Sequence, residues 1–122
     1  MTKRKQQVYK LTKKNTAVYY IGRKRYNLDK ATIIAEHWGG GYVNTGLWWK
    51  EVLSVTDQGS WVLHGMGERE TKYGQKLPNG NYIEGTKVQV LSRIEAYDWL
   101  EKNQKIDCVL VDRYFIDIVK EG

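Results

Sequence analysis

The chain is short of the residues from which catalytic centres and covalent frameworks are usually built. A single cysteine, Cys108, cannot close an internal disulfide, which fits a reducing cytoplasm. It lies in the most apolar segment and is expected to be a buried, inert thiol. The two histidines, His37 and His64, share no C-x-x-C or H-x-x-x-H spacing, so the roughly four convergent ligands of a zinc site are missing. Ser54, Ser60 and Ser92 lie outside any G-x-S-x-G context, the strained turn that exposes a nucleophile. No run approaches the ~18 apolar residues of a membrane-spanning helix, which excludes that class. The basic start, Met1-Thr-Lys-Arg-Lys, lacks the apolar stretch of a secretory signal. No repeat or low-complexity tract is present.

What remains is one domain's worth of chain, 122 residues and 14.3 kDa, with 41% apolar and 28% charged residues, ordinary for a soluble globule with its own core. Charge is the first departure from the ordinary. The net charge is +6, yet residues 1–30 hold ten cationic side chains against one acid, Asp29, while residues 31–122 hold ten against thirteen. The front quarter therefore carries +9 and the rest −3. Such an asymmetric field steers polyanions or acidic protein surfaces toward one end of the molecule.

Residues 1–7 read as a flexible basic arm, and residues 8–122 as a single α+β domain. Short strands are expected at Val8–Thr12, Thr16–Ile21 and Arg23–Tyr26, with a turn at Lys13-Lys14-Asn15. Residues 31–38 carry the β-branched run Thr32-Ile33-Ile34, which favours a strand, although Asn27 or Asp29 could cap a helix there. The clearest element is a hairpin: Leu47–Thr56, the turn Asp57-Gln58-Gly59, and Ser60–Gly65, with Trp49, Val52, Val55, Trp61 and Leu63 as packing residues. Gly65–Gly85 holds the only proline, Pro78, and reads mostly as loop, followed by a strand over Thr86–Val90. Ser92 and Glu95 form an S-x-x-E capping box before a helix whose apolar face is Ile94, Tyr97 and Leu100. A second helix is expected over Cys108–Val119, with strand as the alternative. The sum is an antiparallel sheet of about five or six strands with one or two C-terminal helices packed on one face.

Binding chemistry is better represented than catalysis. Trp38, Tyr42, Trp48 and Trp49 flank a glycine-rich loop. Neighbours on a strand point to opposite faces, so Trp48 and Trp49 cannot both enter one core; the other must meet a second layer, solvent or a partner. Lys3-Arg4-Lys5, Lys13-Lys14 and Arg23-Lys24-Arg25 would lie close together if the first two strands form a hairpin, which makes Lys10, Lys13, Lys14, Arg23, Lys24 and Arg25 candidate binding residues beside Trp48 and Trp49; clustered cations gain affinity for phosphate backbones by counterion release. No recognition helix, RNP sequence or zinc finger accompanies them, so no base-specific reading is supported. Two weaker patterns complete the survey. Gly65-Met66-Gly67 starts a phosphate-loop fingerprint but lacks its βαβ context. His64 with Glu68 and Glu70 could hold a divalent ion for nuclease chemistry.

The segment LSVTDQGSWVLHGMGERETKY (Leu53–Tyr73), then Gly85–Leu91 and the helix start Ser92-Arg-Ile-Glu-Ala, resembles a family of small proteins of phages, plasmids and conjugative elements that are similar to anti-CRISPR proteins inhibiting type II Cas9. Two departures stand out: Gly65-Met66-Gly67-Glu68 replaces the usual G-x-G-G, and an extra apolar segment follows the helix. The resemblance implies a non-enzymatic inhibitor in the bacterial host's cytoplasm. It would bind Cas9, its guide RNA or both and block assembly, DNA loading or cleavage, with no cofactor and no metal. A homodimer stays open. Since a DNA mimic must be acidic, the basic end would engage guide RNA or an acidic Cas9 surface. The exposed acids Glu95, Asp98, Glu101 and Asp112 would offer a secondary surface to the effector's arginine-rich regions. The alternatives are a non-sequence-specific RNA- or DNA-binding accessory protein of a phage or plasmid, and the metal-dependent nuclease.

Overall fold

A computed structural model describes residues 17–122. The expected arm, the strand over Val8–Thr12, the turn after it, and Lys10, Lys13 and Lys14 lie outside the described residues. The described chain is α+β, built from antiparallel strands and two short C-terminal helices. A hairpin, β1 (Val18–Ile21) and β2 (Lys24–Asn27), leads through a 3-10 turn at Leu28–Lys30 into β3 (Thr32–Gly39). The β-branched run thus forms a strand, and Asn27 caps only the brief turn. β4 (Trp49–Val55) and β5 (Trp61–Gly67) follow, then β6 (Gln75–Lys76), β7 (Tyr82–Ile83) and β8 (Gly85–Leu91). β3-β4-β5-β8 make the four-stranded sheet, while β1-β2 and β6-β7 are separate two-stranded ribbons.

The β4–β5 connection shows why that hairpin was legible. Gly59 sits at φ +85 and donates its N–H to the Thr56 carbonyl at 2.9 Å, and the Thr56 N–H returns to Ser60 at 2.8 Å. A three-residue loop ending on a left-handed residue matches the twist of the strands. The register then sorts side chains by parity. Leu53, Val55, Trp61 and Leu63 share the face that meets the helices, and they form the core with Ala96, Trp99, Leu100 and Phe115. Val52 has the opposite parity from Trp49, Val55, Trp61 and Leu63. It lies beside His64 on the other face, where Tyr19 of the β1-β2 hairpin meets His64 edge-on at 6.0 Å. The molecule therefore has three layers: ribbon, sheet and helices.

α1 (Arg93–Lys102) begins with the expected capping box. The Ser92 side chain accepts from the Glu95 N–H at 3.1 Å, and the Glu95 carboxylate from the Ser92 N–H at 2.8 Å. Its buried face is different from the expected one. Ala96, Trp99 and Leu100 are buried, Tyr97 is half-buried and Ile94 is 59% exposed. The orientation follows from Trp99, whose indole N–H donates to Glu51 on β4 at 2.8 Å. α2 (Cys108–Leu110) is capped by Asp107 and widens into a π-helical turn, Val111–Phe115, instead of running on to Val119. Phe115 from that turn is fully buried and stacks on Trp61 at 5.2 Å. Cys108 is exposed, which overturns the expected buried thiol. The packed side of this segment is Leu110, Tyr114, Phe115 and Ile118, and Cys108 falls on its other side.

Candidate nucleic-acid interface

The β1-β2 hairpin turns through Gly22 and Arg23, both left-handed at φ +59 and +67. Two positive φ values in succession define the turn that matches strand twist. Glycine accepts this freely, but arginine does so at a cost of about 1–2 kcal/mol, and such strain on a bulky residue concentrates at functional positions. Its effect is to hold Arg23 at the hairpin tip beside Lys24 and Arg25, all three exposed. The ribbon is closed at its far end by the Leu28 N–H donating to the Ala17 carbonyl at 2.7 Å.

Between β2 and the β4–β5 turn lies a cleft of about 570 Å³. Lys24, Arg25 and Lys30 line one wall, with Thr56, Asp57, Gln58 and Ser60 along the other. Asp57 is the one acid in the lining. None of Arg23, Lys24, Arg25 and Lys30 enters a salt bridge among the described residues. Lys50, Lys72 and Arg93, by contrast, are held by Glu36 at 2.8 Å, Glu51 at 2.7 Å and Asp117 at 2.6 Å. Four cations without a salt bridge are thus gathered on this ribbon and its following turn, whereas Lys76, Lys87, Lys102, Lys105, Arg113 and Lys120, also outside the salt bridges among the described residues, lie elsewhere in the chain.

The other candidate residues are not brought to this cleft. Trp48 and Trp49 are half-buried at the opposite end of β4 from the β4–β5 turn, about 20 Å away at the rise of an extended strand. Trp49 faces the helix layer, edge-on to His37 at 5.3 Å, and its ring fills the space over Gly39. The Trp48 backbone is fastened by Glu68, whose N–H donates to its carbonyl at 2.8 Å. The Glu68 carboxylate accepts in turn from the N–H groups of Asn44, Gly46 and Trp48 at 2.5, 2.9 and 3.2 Å. Those donors, Asn44 foremost, hold its pKa below the ordinary value. Glu68 is therefore a clamp on the glycine-rich loop. Glu70 lies 3.6 Å from Arg69, and His64 lies under the ribbon with its basicity lowered by burial. Among the described residues no three His, Cys, Asp or Glu side chains gather as metal ligands, so the structure does not bring His64, Glu68 and Glu70 together. On the helices, Glu95, Asp98, Glu101 and Asp112 are exposed, with Glu95 engaged in the capping box and Glu101 accepting from the Tyr97 hydroxyl at 3.0 Å.

A buried polar cluster went unnoticed in the sequence. Glu51, 3% exposed at the sheet–helix interface, accepts from the Tyr73 hydroxyl, from Trp99 and from Lys72. Burial alone would raise its pKa, but those three donors outweigh it and the carboxyl is held below its ordinary value. Burial and the neighbouring Glu51 carboxylate push the Tyr73 phenol up. The signal was available: Glu51 has the parity of Trp49, Leu53 and Val55, a charge at a core position. Gly65-Met66-Gly67 also finds its role here. A Cβ on Gly65 would strike the Tyr73 ring at 2.0 Å and one on Gly67 the Thr71 hydroxyl at 2.2 Å, so these glycines make room for the loop that carries Tyr73. The chain matches no protein-family model, no curated protein and no solved structure, and the anti-CRISPR resemblance rests on the quoted residues alone.

Proposed function

We propose that this protein is a non-catalytic binder of nucleic acid, engaging the phosphate backbone through the cleft between the β1-β2 ribbon and the β4–β5 turn. One observation carries the reading: Lys24, Arg25 and Lys30 line one cleft with Arg23 at the adjoining hairpin tip, and none of the four enters a salt bridge among the described residues. A cleft lined by such groups suits phosphate oxygens, and contacts to phosphate carry no sequence information, so the proposed recognition is electrostatic and tolerant of sequence.

The test is binding of the full chain to labelled RNA over a range of salt. If about three or four phosphates are contacted, log K falls with log salt at a slope of roughly −2 to −3 for a single strand. Reversal of Arg23, Lys24, Arg25 and Lys30 to glutamate abolishes the interaction. Affinity that is unchanged between low and moderate salt, or that survives the reversal, overturns the proposal.

The resemblance gives the narrower form of this reading, an anti-CRISPR-like inhibitor whose polyanion is the guide RNA of Cas9. A cleavage assay with order of addition addresses it: inhibition when the protein meets Cas9 before the guide is the expected result. Untouched cleavage at excess protein across several Cas9 types removes the narrower form and leaves the broader one standing.

A further inference from the structure

Resting on that reading, we infer that the ribbon selects single strands over duplexes, by stacking an unpaired base on Tyr20 while the neighbouring phosphates occupy the basic cleft. Tyr19 and Tyr26 are cross-strand partners turned inward, Tyr19 against His64 and Tyr26 buried at 8% exposure. Strand alternation then sends Tyr20 to the outer face, where it is 74% exposed. Its cross-strand partner there is Arg25, a residue that also lines the cleft. Directly opposed residues on one face have Cβ atoms about 5 Å apart, so a π-face and a cation outside every salt bridge among the described residues stand side by side. Both are mounted on a ribbon fixed by the Gly22-Arg23 turn and by the Leu28–Ala17 hydrogen bond.

That pairing is what a single strand requires and a duplex cannot use. An unpaired base offers a free π-face, and every base has one, so stacking adds affinity without sequence preference. In a duplex those faces are covered by neighbouring pairs, and only the phosphates remain for Arg25 and its neighbours. Tyr42, at 85% exposure, and Trp38, at 60% with Lys105 over its ring at 5.9 Å, are also accessible aromatics. They flank the glycine-rich loop and do not line the basic cleft.

The experiment compares three probes with the full chain by fluorescence anisotropy at one salt concentration: an oligouridine, an abasic strand of equal length, and a duplex RNA. The unaltered protein is expected to bind the oligouridine more tightly than the other two. Tyr20→Ala weakens oligouridine binding roughly five- to a hundredfold and leaves the abasic strand unaffected, whereas Tyr20→Phe, which keeps the ring, binds like the parent. Tyr20→Thr keeps strand propensity without a ring and reproduces the alanine result, which separates stacking from a loosened ribbon. Equal affinity for oligouridine and abasic strand, with steep salt dependence, overturns the stacking and leaves the phosphate reading intact. Equal weakening of both strands by Tyr20→Ala, or a preference for the duplex, overturns it as well. Failure to bind any of the three overturns both.

Discussion

Gly65→Ala is the sharpest probe of how the helix face of the sheet is locked. The added Cβ would lie 2.0 Å from Cζ of Tyr73 and 2.1 Å from its hydroxyl oxygen, where ordinary contact begins at 3.4 Å. The ring must therefore retreat by the difference between 2.0 and 3.4 Å, which takes its hydroxyl away from Glu51. Overpacking a tight site costs about 1–3 kcal/mol, and a lost hydrogen bond to a charged acceptor about 1.5–3 kcal/mol. Together they predict a loss of about 3–5 kcal/mol, a large part of the ~5–15 kcal/mol that holds a domain of this size. With a urea slope near 2 kcal/mol/M, the unfolding midpoint falls by about 2 M.

The decisive measurement is the double-mutant cycle with Tyr73→Ala. Removing the ring takes away the three atoms nearest to the new methyl, and alanine is favoured over glycine within a strand by roughly 0.5–1 kcal/mol. Gly65→Ala is then neutral or slightly stabilising in the Tyr73→Ala background, a change of sign and a coupling of about 3 kcal/mol or more. If the two losses simply add, the close approach of Tyr73 is not what demands glycine at position 65, and the account of the Gly65-Met66-Gly67 motif is wrong.

Three further outcomes follow from individual side chains. Glu51 has a folded-state pKa below its ordinary 4.5, so its contribution is fully present above that pH and is lost as pH falls through the folded value. The urea midpoint should accordingly drop on acidification below pH 4.5, and drop less in Glu51→Gln. Glu68→Ala removes the acceptor shared by the N–H groups of Asn44, Gly46 and Trp48; amide exchange and proteolysis within residues 42–48 speed up while β4 and β5 stay protected, and uniform acceleration would contradict the clamp. Cys108, being exposed, reacts with a thiol reagent in the native protein, and a requirement for denaturant would show that the thiol is covered.

Elements set by local chemistry were legible from sequence, and those set by distant partners were not. The Asp57-Gln58-Gly59 turn, the strand over residues 32–39 and the Ser92/Glu95 capping box each depend on residues within a few positions of one another. The rotation of α1 depends instead on a hydrogen bond spanning 48 positions, from Trp99 to Glu51, and helical spacing alone chose Ile94 where Ala96 is buried. The same limit applies to aromatic pairs. Tyr19-Tyr20 and Trp48-Trp49 each announce that one partner faces away, but only a register assigns which. For Tyr19 and Tyr20 the deciding neighbour is His64, on another layer. The charge cluster Arg23-Lys24-Arg25 needed no register, because three consecutive exposed cations at a hairpin tip share one end of the molecule whichever way each points.

On the sheet, its loop and the helices, three cations are spent internally: Lys72 closes the buried Glu51 cluster, Lys50 meets Glu36 across β3 and β4, and Arg93 grips Asp117 through two oxygens, which pushes that carboxyl down to about 2. The ribbon's cations enter no salt bridge among the described residues, and Arg23 sits in a left-handed backbone at the hairpin tip. Screening confines the field of exposed charges to about 8 Å at physiological salt, so a net charge of +6 spread evenly would attract a polyanion only weakly. On the proposed reading, the four cations gathered beside the cleft and the outward tyrosine act together on one short stretch of backbone. Recognition then depends on how closely the fold gathers Arg23, Lys24, Arg25 and Lys30, a task separate from that of Glu51, Tyr73 and Trp99, which hold the sheet to the helices.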